Sequence, residues 1–169
     1  MPKADPVRRI AWEVMRAVET RDAYVNLILP GMIADAKLEG RDAAFATELT
    51  HGTIRRQGTY DAILESTTSK GLAAVDPPVR DVLRLGAHQL LSLRTPSHAA
   101  VSTSVDLVRE RVGHKPASFV NAVLRKISRS DLPTWLRRVA PSREDDLPGH
   151  LAVVHSHPRW IVDALQEAL

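Results

Sequence analysis

The chain has 169 residues, 44% of them apolar, with a mean hydropathy of −0.17 and a formal net charge of +3, which suits one folded domain with a sizeable core and excludes global disorder. It contains no cysteine, so disulfides, thiolate zinc sites and a cysteine nucleophile are excluded within it. No run approaches the roughly 18 apolar residues of a membrane helix, and the opening MPKADPVRRIAWEV lacks the apolar stretch of a secretory leader, so the expected location is the cytoplasm.

Helical periodicity recurs along the chain and strand alternation does not, which predicts an all-α bundle. Asp5-Pro6 reads as an N-cap and first helical residue. Val7, Ile10, Ala11, Val14 and Val18 then share one face, with Arg8, Arg9 and Arg16 off it. A second helical stretch over 24–38 carries Pro30-Gly31, which predicts a kink or a split. Gly40 reads as its stop, and Asp42 as the cap of a third helix running to about Arg56. Gly58-Thr59 reads as an interruption, followed by a short amphipathic piece with Tyr60, Ile63 and Leu64, then a loop from Thr67 to Val75.

Asp76-Pro77-Pro78 opens the most apolar segment (Val79, Val82, Leu83, Leu85, Gly86, Leu90, Leu93), whose apolar residues surround it and predict a central helix. Thr95-Pro96 ends it, and Ser97 reads as the cap of the next helix, with Ala100, Val101, Val105 and Val108 inward and Gly113 as its stop. Pro116 starts a helix that turns Phe119, Val120, Val123, Leu124 and Ile127 inward and carries Asn121, Arg125 and Arg129 at i, i+4 and i+8 on another side. Beyond Ser130, Pro133, Pro141 and Pro148 predict short pieces. The apolar pattern is still running at Leu169, as though a further domain followed.

Residues 109–143 hold nine Lys/Arg (Arg109, Arg111, Lys115, Arg125, Lys126, Arg129, Arg137, Arg138, Arg143) against Glu110 and Asp131, a local net charge of +7. A one-sided basic stretch fits a polyanionic partner and equally a solvated surface. The like charges at Arg125 and Arg129 find compensation either in the helix C-terminal dipole or in a phosphate backbone.

The signatures of catalysis are missing. No two glycines are closer than six positions, which excludes G-x-G-x-x-G and Walker loops and, with them, a nucleotide or S-adenosylmethionine loop within the chain. His155 and His157 form H-x-H without further ligands at metal spacing and read as a loop or helix cap. The Glu144-Asp145-Asp146 run reads as solvated.

The stretch from Pro77 to Ile127, with its leucine-rich helix, the turn at Pro96, Ala100-Val101 and Phe119-Val120-Asn121-Ala122-Val123-Leu124, resembles the NusB-like fold. Residues 42–64 and the opening helix resemble that fold's preceding helices, so that the resemblance covers roughly 5–130. HGTIRR (51–56) and HSHPRWIV (155–162) resemble one branch in particular, the N-terminal domain of the RsmB (Sun/Fmu) methyltransferases, which make 5-methylcytosine in small-subunit ribosomal RNA. The resemblance implies an RNA-binding domain over 1–130 and a linker or helical extension over 131–169. It further implies ribosomal RNA and a methyltransferase domain beyond this chain as partners, with S-adenosylmethionine bound by that domain rather than here. The expected RNA contacts are Arg8 and Arg9, which the resemblance implies through its basic first helix, and Arg125, Lys126 and Arg129 of the basic stretch, with Arg55 and Arg56 behind them. Asn121 is expected to be structural, satisfying backbone groups between helices, and Trp135 and Trp160 to pack the extension or to stack on bases. The alternatives are a free-standing transcription antitermination factor that binds RNA and a ribosomal protein, and a protein-interaction module with an incidental basic face.

Overall fold

The computed structural model describes residues 4–93 and 95–157, together with residues 161, 164, 167 and 168. Trp160 and most of the apolar run around it lie outside the described residues. Among the described residues there are nine α-helices and no strand: α1 (Pro6–Arg21), α2 (Val25–Asp35), α3 (Gly40–Arg55), α4 (Gln57–Thr67), a 3-10 turn (Leu72–Ala74), α5 (Pro77–Leu91), α6 (Ser97–Arg111), α7 (Ala117–Ile127), α8 (Leu132–Val139) and α9 (Leu147–Val154). None is long and apolar enough to cross a membrane.

α5 is the central element. It packs against α1, α3, α4, α6 and α7, and every residue from Asp81 to Gln89 is buried. A helix enclosed on all sides must bring its polar side chains inside, and each needs a partner there. Asp81 accepts from Arg84 Nη1 and from Arg16 Nη1, both at 3.0 Å. Arg84 also forks onto Asp61 through Nε (2.7 Å) and Nη2 (2.9 Å). Burial pushes the Asp81 carboxyl up, against the pull of Arg16 and Arg84. Gln89 accepts from Arg8 Nε at 2.8 Å and donates to the Leu85 carbonyl. The Tyr60 hydroxyl lies 2.6 Å from His88 Nδ1 and 2.6 Å from Ser92 Oγ, while His88 Nε2 faces Glu48 Oε1 at 3.4 Å.

Gly86 lets α6 and α7 close onto α5. A Cβ there would stand 2.7 Å from Leu124 Cδ1 and 3.1 Å from Ser104 Oγ. Gly52 does the same for His88, whose Nε2 would be 2.4 Å from an added Cβ.

Several local expectations are corrected. α2 runs through Pro30 unbroken: proline removes one ladder bond, and the packing of Leu29 on Ile10 and Val14 holds the helix across the gap. The turn after α2 is made by Lys37 (φ 59), with the Leu38 amide donating to the Ile33 carbonyl. Gly40 (φ 54) instead begins α3, with Asp42 inside the first turn rather than capping it. α6 has Pro96 in the N-cap position and Ser97 as its first residue, so Ser97 does not cap it. The short pieces expected beyond Ser130 are α8 and α9, of eight residues each, and Pro133 and Pro148 lie in their first turns, each within an Asp-Leu-Pro sequence. Asp131 accepts from the Thr134 amide at 3.0 Å and Asp146 from the Gly149 amide at 3.1 Å, both as N-caps. α2 also leaves Tyr24 (73%) and Leu27 (76%) open to solvent.

Gly58 lies inside α4, which begins one residue earlier. Ser156, nearly a hundred residues away, accepts from the Gly58 amide (2.9 Å) and the Thr59 amide (3.4 Å), capping α4 from outside its own segment. Thr59 Oγ1 returns a hydrogen bond to the Val153 carbonyl, and Ser156 takes a left-handed backbone (φ 56) to reach the site. Trp135 of α8 is buried with the main core and donates to the Ile127 carbonyl at 2.9 Å. It therefore packs the C-terminal helices onto the bundle and is not free to stack on a base.

Gly86→Ala is expected to lower stability by roughly 1–3 kcal/mol through overpacking against Leu124; chemical denaturation would show it as a lower midpoint with unchanged slope. The buried His88 gives a pH dependence. Burial holds its imidazole down at about 4 against an ordinary 6.5. Between those values the unfolded chain binds a proton that the folded chain does not. Stability is therefore full above about pH 6.5 and falls as the pH drops towards 4, by on the order of 3 kcal/mol from this group. His88→Gln should flatten that part of the stability–pH curve, and an unchanged slope would place its origin elsewhere.

Candidate nucleic-acid interface

α6 and α7 form a helical hairpin around the turn that contains Gly113 (φ 150). Their inner faces, with Ala100, Val101, Val105 and Val108 on one and Val120, Val123, Leu124 and Ile127 on the other, bury against α5 and each other. Between the outer edges runs an open groove of about 860 Å³, a volume in the range of ligand-binding clefts. Val101, Val105 and Ala117 line it as apolar surface. α6 adds His98, Ser102, Asp106 and Arg109 along one helical stripe, and α7 adds Ser118, Asn121, Arg125 and Ser128. His98 is the one ring among the residues that line it, which include no Phe, Tyr or Trp.

Arg125 and Asn121 meet in this groove. Arg125 Nε donates to Asn121 Oδ1 at 3.3 Å, one helical turn apart. Asn121 is thus half-buried at the groove wall, and its amide oxygen serves the Arg125 guanidinium rather than a backbone group between helices. Lys126 and Arg129 are exposed beside the groove, at the end of α7 and just past it. Among the described residues the side chains of Arg109, Lys126 and Arg129 have no hydrogen-bond or ion-pair partner. Most of the other cations of the basic stretch are engaged. Arg111 pairs with Glu13, Arg137 donates to Thr134 Oγ1, and Arg138 lies 5.2 Å over the Trp135 ring and donates to Ser130 Oγ.

Arg8 and Arg9 are built into the bundle. The side chain of Arg8, 14% exposed, pairs with Asp5, donates to Gln89 and lies 5.2 Å over the Phe45 ring. Arg9 donates to the Ala4 carbonyl at 2.9 Å and lies 3.7 Å from Glu110. The sequence set both off the apolar face of α1, but that side of the helix meets α3, α5 and α6 as well. Arg55 and Arg56 form a separate exposed pair where α3 meets α4, next to the Gly58–Ser156 contact. The structure therefore brings Asn121, Arg125, Lys126 and Arg129 together, keeps Arg55 and Arg56 apart from them, and turns Arg8 and Arg9 to internal partners.

Sequence reasoning did not single out Arg109, Asp106 or His98. The available signal was the polar row 98, 102, 106, 109 on a helix otherwise read only for its valine face.

The described part of the bundle up to α7 coincides with a known family. The NusB family model matches residues 5–129. The chain belongs to the NusB family. It is 48% identical over 165 residues to a putative methyltransferase of Mycobacterium tuberculosis, covering 98% of this chain and 36% of that protein. With the probable ribosomal RNA small subunit methyltransferase B of Bacillus subtilis it shares 35% identity over 168 residues, again 98% of this chain and 36% of the relative. The chain thus spans about a third of the length of these curated relatives. Among solved structures it resembles the complex of antitermination factors NusB and NusE with double-stranded RNA, at a TM-score of 0.66 and 25% identity, over 73% of this chain and 94% of that one. NusB from Aquifex aeolicus shares the fold at a TM-score of 0.62 and 22% identity, over 83% of this chain and 96% of that one.

The two groups of arginines should separate in a stability measurement. Arg8→Ala strands the buried Gln89 oxygen and is expected to cost about 1–3 kcal/mol. Arg125→Ala should stay within about 0.5 kcal/mol of the parent. Equal losses in thermal unfolding would contradict the division into structural and solvent-facing arginines.

Proposed function

We propose that this chain is the RNA-docking domain of a ribosomal RNA methyltransferase and presents small-subunit ribosomal RNA to a catalytic domain that follows it. The observation that carries this reading is the match to methyltransferases over 98% of the chain, of whose length the chain spans only about a third. The NusB structures, by contrast, match over 73% or 83% of it, and this favours the methyltransferase branch over a free-standing antitermination factor. The sequence supplies no cysteine and no glycine-rich loop. In this reading the attacking thiol and S-adenosylmethionine belong to the additional domain, and the present chain contributes position alone.

The contact face in this reading is the α6–α7 groove, with Arg109 and Arg125 on its walls and Lys126 and Arg129 beside it. Its unpaired cations and its lack of Phe, Tyr and Trp suit the sugar-phosphate backbone better than base edges, and contacts of that kind orient a substrate rather than read it. Residues 1–130 form the RNA-binding part and 131–169 the connection onward. Arg55 and Arg56, beside the point where Ser156 is held, give a second cationic patch apart from the groove. A cytoplasmic location follows from a ribosomal RNA substrate.

Binding of a small-subunit ribosomal RNA fragment, titrated across salt concentrations by fluorescence anisotropy, tests this. The logarithm of affinity should fall linearly with the logarithm of salt concentration, and Arg125→Ala/Arg129→Ala should weaken binding and make the slope shallower by about 1.5. Salt-insensitive binding, or a double variant indistinguishable from the parent, would rule out the groove as the RNA face.

A further inference from the structure

Asp106 is out of place in a purely phosphate-binding groove. It lines the α6–α7 groove, half-buried, one turn from Arg109. Among the described residues its carboxylate has neither a hydrogen-bond donor nor an ion-pair partner. The other carboxylates close to the arginines of α1 and α5 are in use: Asp5, Glu13, Glu19, Asp61, Asp81 and Glu110 all pair. An unpaired carboxylate among cations repels a phosphate, and it is a pure acceptor that needs a donor from its ligand.

The order of the groove residues says which donor. α6 and α7 run in opposite directions from their shared turn, so Asp106 comes level with Asn121, and Arg125 lies further along, level with Ser102. Arg109 and the level of Arg125 are then about 10 Å apart along the groove at the helical rise per residue, with Asp106 between them. The groove thus presents a cation, a carboxylate and a cation in turn. A nucleic-acid strand presents a phosphate, a sugar and a phosphate. The only hydrogen-bond donor on the sugar within a strand is the 2′-hydroxyl of ribose, and deoxyribose has none.

We infer that Asp106 accepts a hydrogen bond from a ribose 2′-hydroxyl and makes this groove selective for RNA over DNA. This rests on the reading of the groove as the RNA face. Asn121, through its free amide nitrogen, faces the same sugar from α7, and Arg109 and Arg125 hold the flanking phosphates. A DNA strand would meet the same two arginines but leave Asp106 unpaired and repelling, so the carboxylate both favours the right backbone and disfavours the wrong one.

The test compares RNA, DNA and 2′-O-methyl RNA of one single-stranded sequence on the unaltered chain and on Asp106→Ala and Arg125→Ala, at one salt concentration. The unaltered chain should bind RNA about tenfold tighter than DNA or 2′-O-methyl RNA, the size expected of a hydrogen bond to a charged group. Asp106→Ala should bind RNA several-fold more weakly yet bind DNA about twofold more tightly, because a repelling charge has gone. Arg125→Ala should weaken both. A parallel rise for RNA and DNA in Asp106→Ala would show the carboxylate to be a plain charge and overturn the inference. A parallel fall would assign it to a base amino group and overturn it equally. Equal binding of RNA and DNA by the unaltered chain would also refute it. If Arg125→Ala leaves every affinity unchanged, the groove itself is not the RNA face, and it is the underlying reading that fails. The comparison of the three backbones on the unaltered chain needs no variant to fold.

Discussion

The constraint on which this structure depends is that α5 has no outward face. Five helices enclose it, and it brings Asp81, Arg84, His88 and Gln89 into the interior with it. Each must be satisfied from a neighbouring helix, so each becomes a fixed point between elements: Arg16 from α1 and Asp61 from α4 around Asp81 and Arg84, Tyr60 from α4 at His88, Arg8 from α1 at Gln89. Apolar packing alone would tolerate a sliding or rotated helix, whereas these partners exist in one register only. An interior ion pair is weak evidence for stability, and removing one partner is costly because it strands the other. The network thus acts chiefly to select one arrangement of α1, α4 and α5.

The same constraint explains where the candidate site lies. Arg8 and Arg9 sit on a helix whose polar side is taken up by the bundle, so their charge is spent internally. α6 and α7 meet the core by one face only, through Gly86 and Leu124, and their outer edges stay free to form the groove. Most free cations of the basic stretch therefore gather on the hairpin at the surface of the bundle, whereas α1 sits against four other helices, α2, α3, α5 and α6. Asp131, a fully exposed cap held below the usual carboxylate range by its hydrogen bonds to Thr134, marks where this hairpin hands over to the C-terminal helices.

Much of the fold could be read from the residues. The all-α class, the enclosure of α5, the stop at Gly113 and most of the inward face of α7 follow from periodicity and turn chemistry; Phe119, expected on that face, is instead 38% exposed near the start of the helix. What could not be read depends on distance in the chain. Proline is ambiguous as a local symbol: the short pieces around Pro133 and Pro148 were legible, whereas their being helices depends on an aspartate two residues earlier that supplies the cap. Gly58 reads as a break because nothing nearby caps it, and its true cap is Ser156. Arg8 reads as surface because a helical wheel shows what is apolar and not what a partner helix will cover. Of the groove, the α7 side was legible as Asn121, Arg125 and Arg129, whereas the α6 side was hidden behind its valines.

The contact between Ser156 and the start of α4 has a consequence for the order in which the molecule assembles. A ribosome delivers α4 long before it delivers its cap, so the first turn of that helix must wait with open amides while α5, α6, α7 and α8 are made. Contacts that span so much chain form late. The hairpin that carries the groove is local and can close as soon as it emerges. The nascent chain would therefore complete its groove first and fasten its own exit last, leaving whatever is synthesised next to begin from a point already held against a finished bundle.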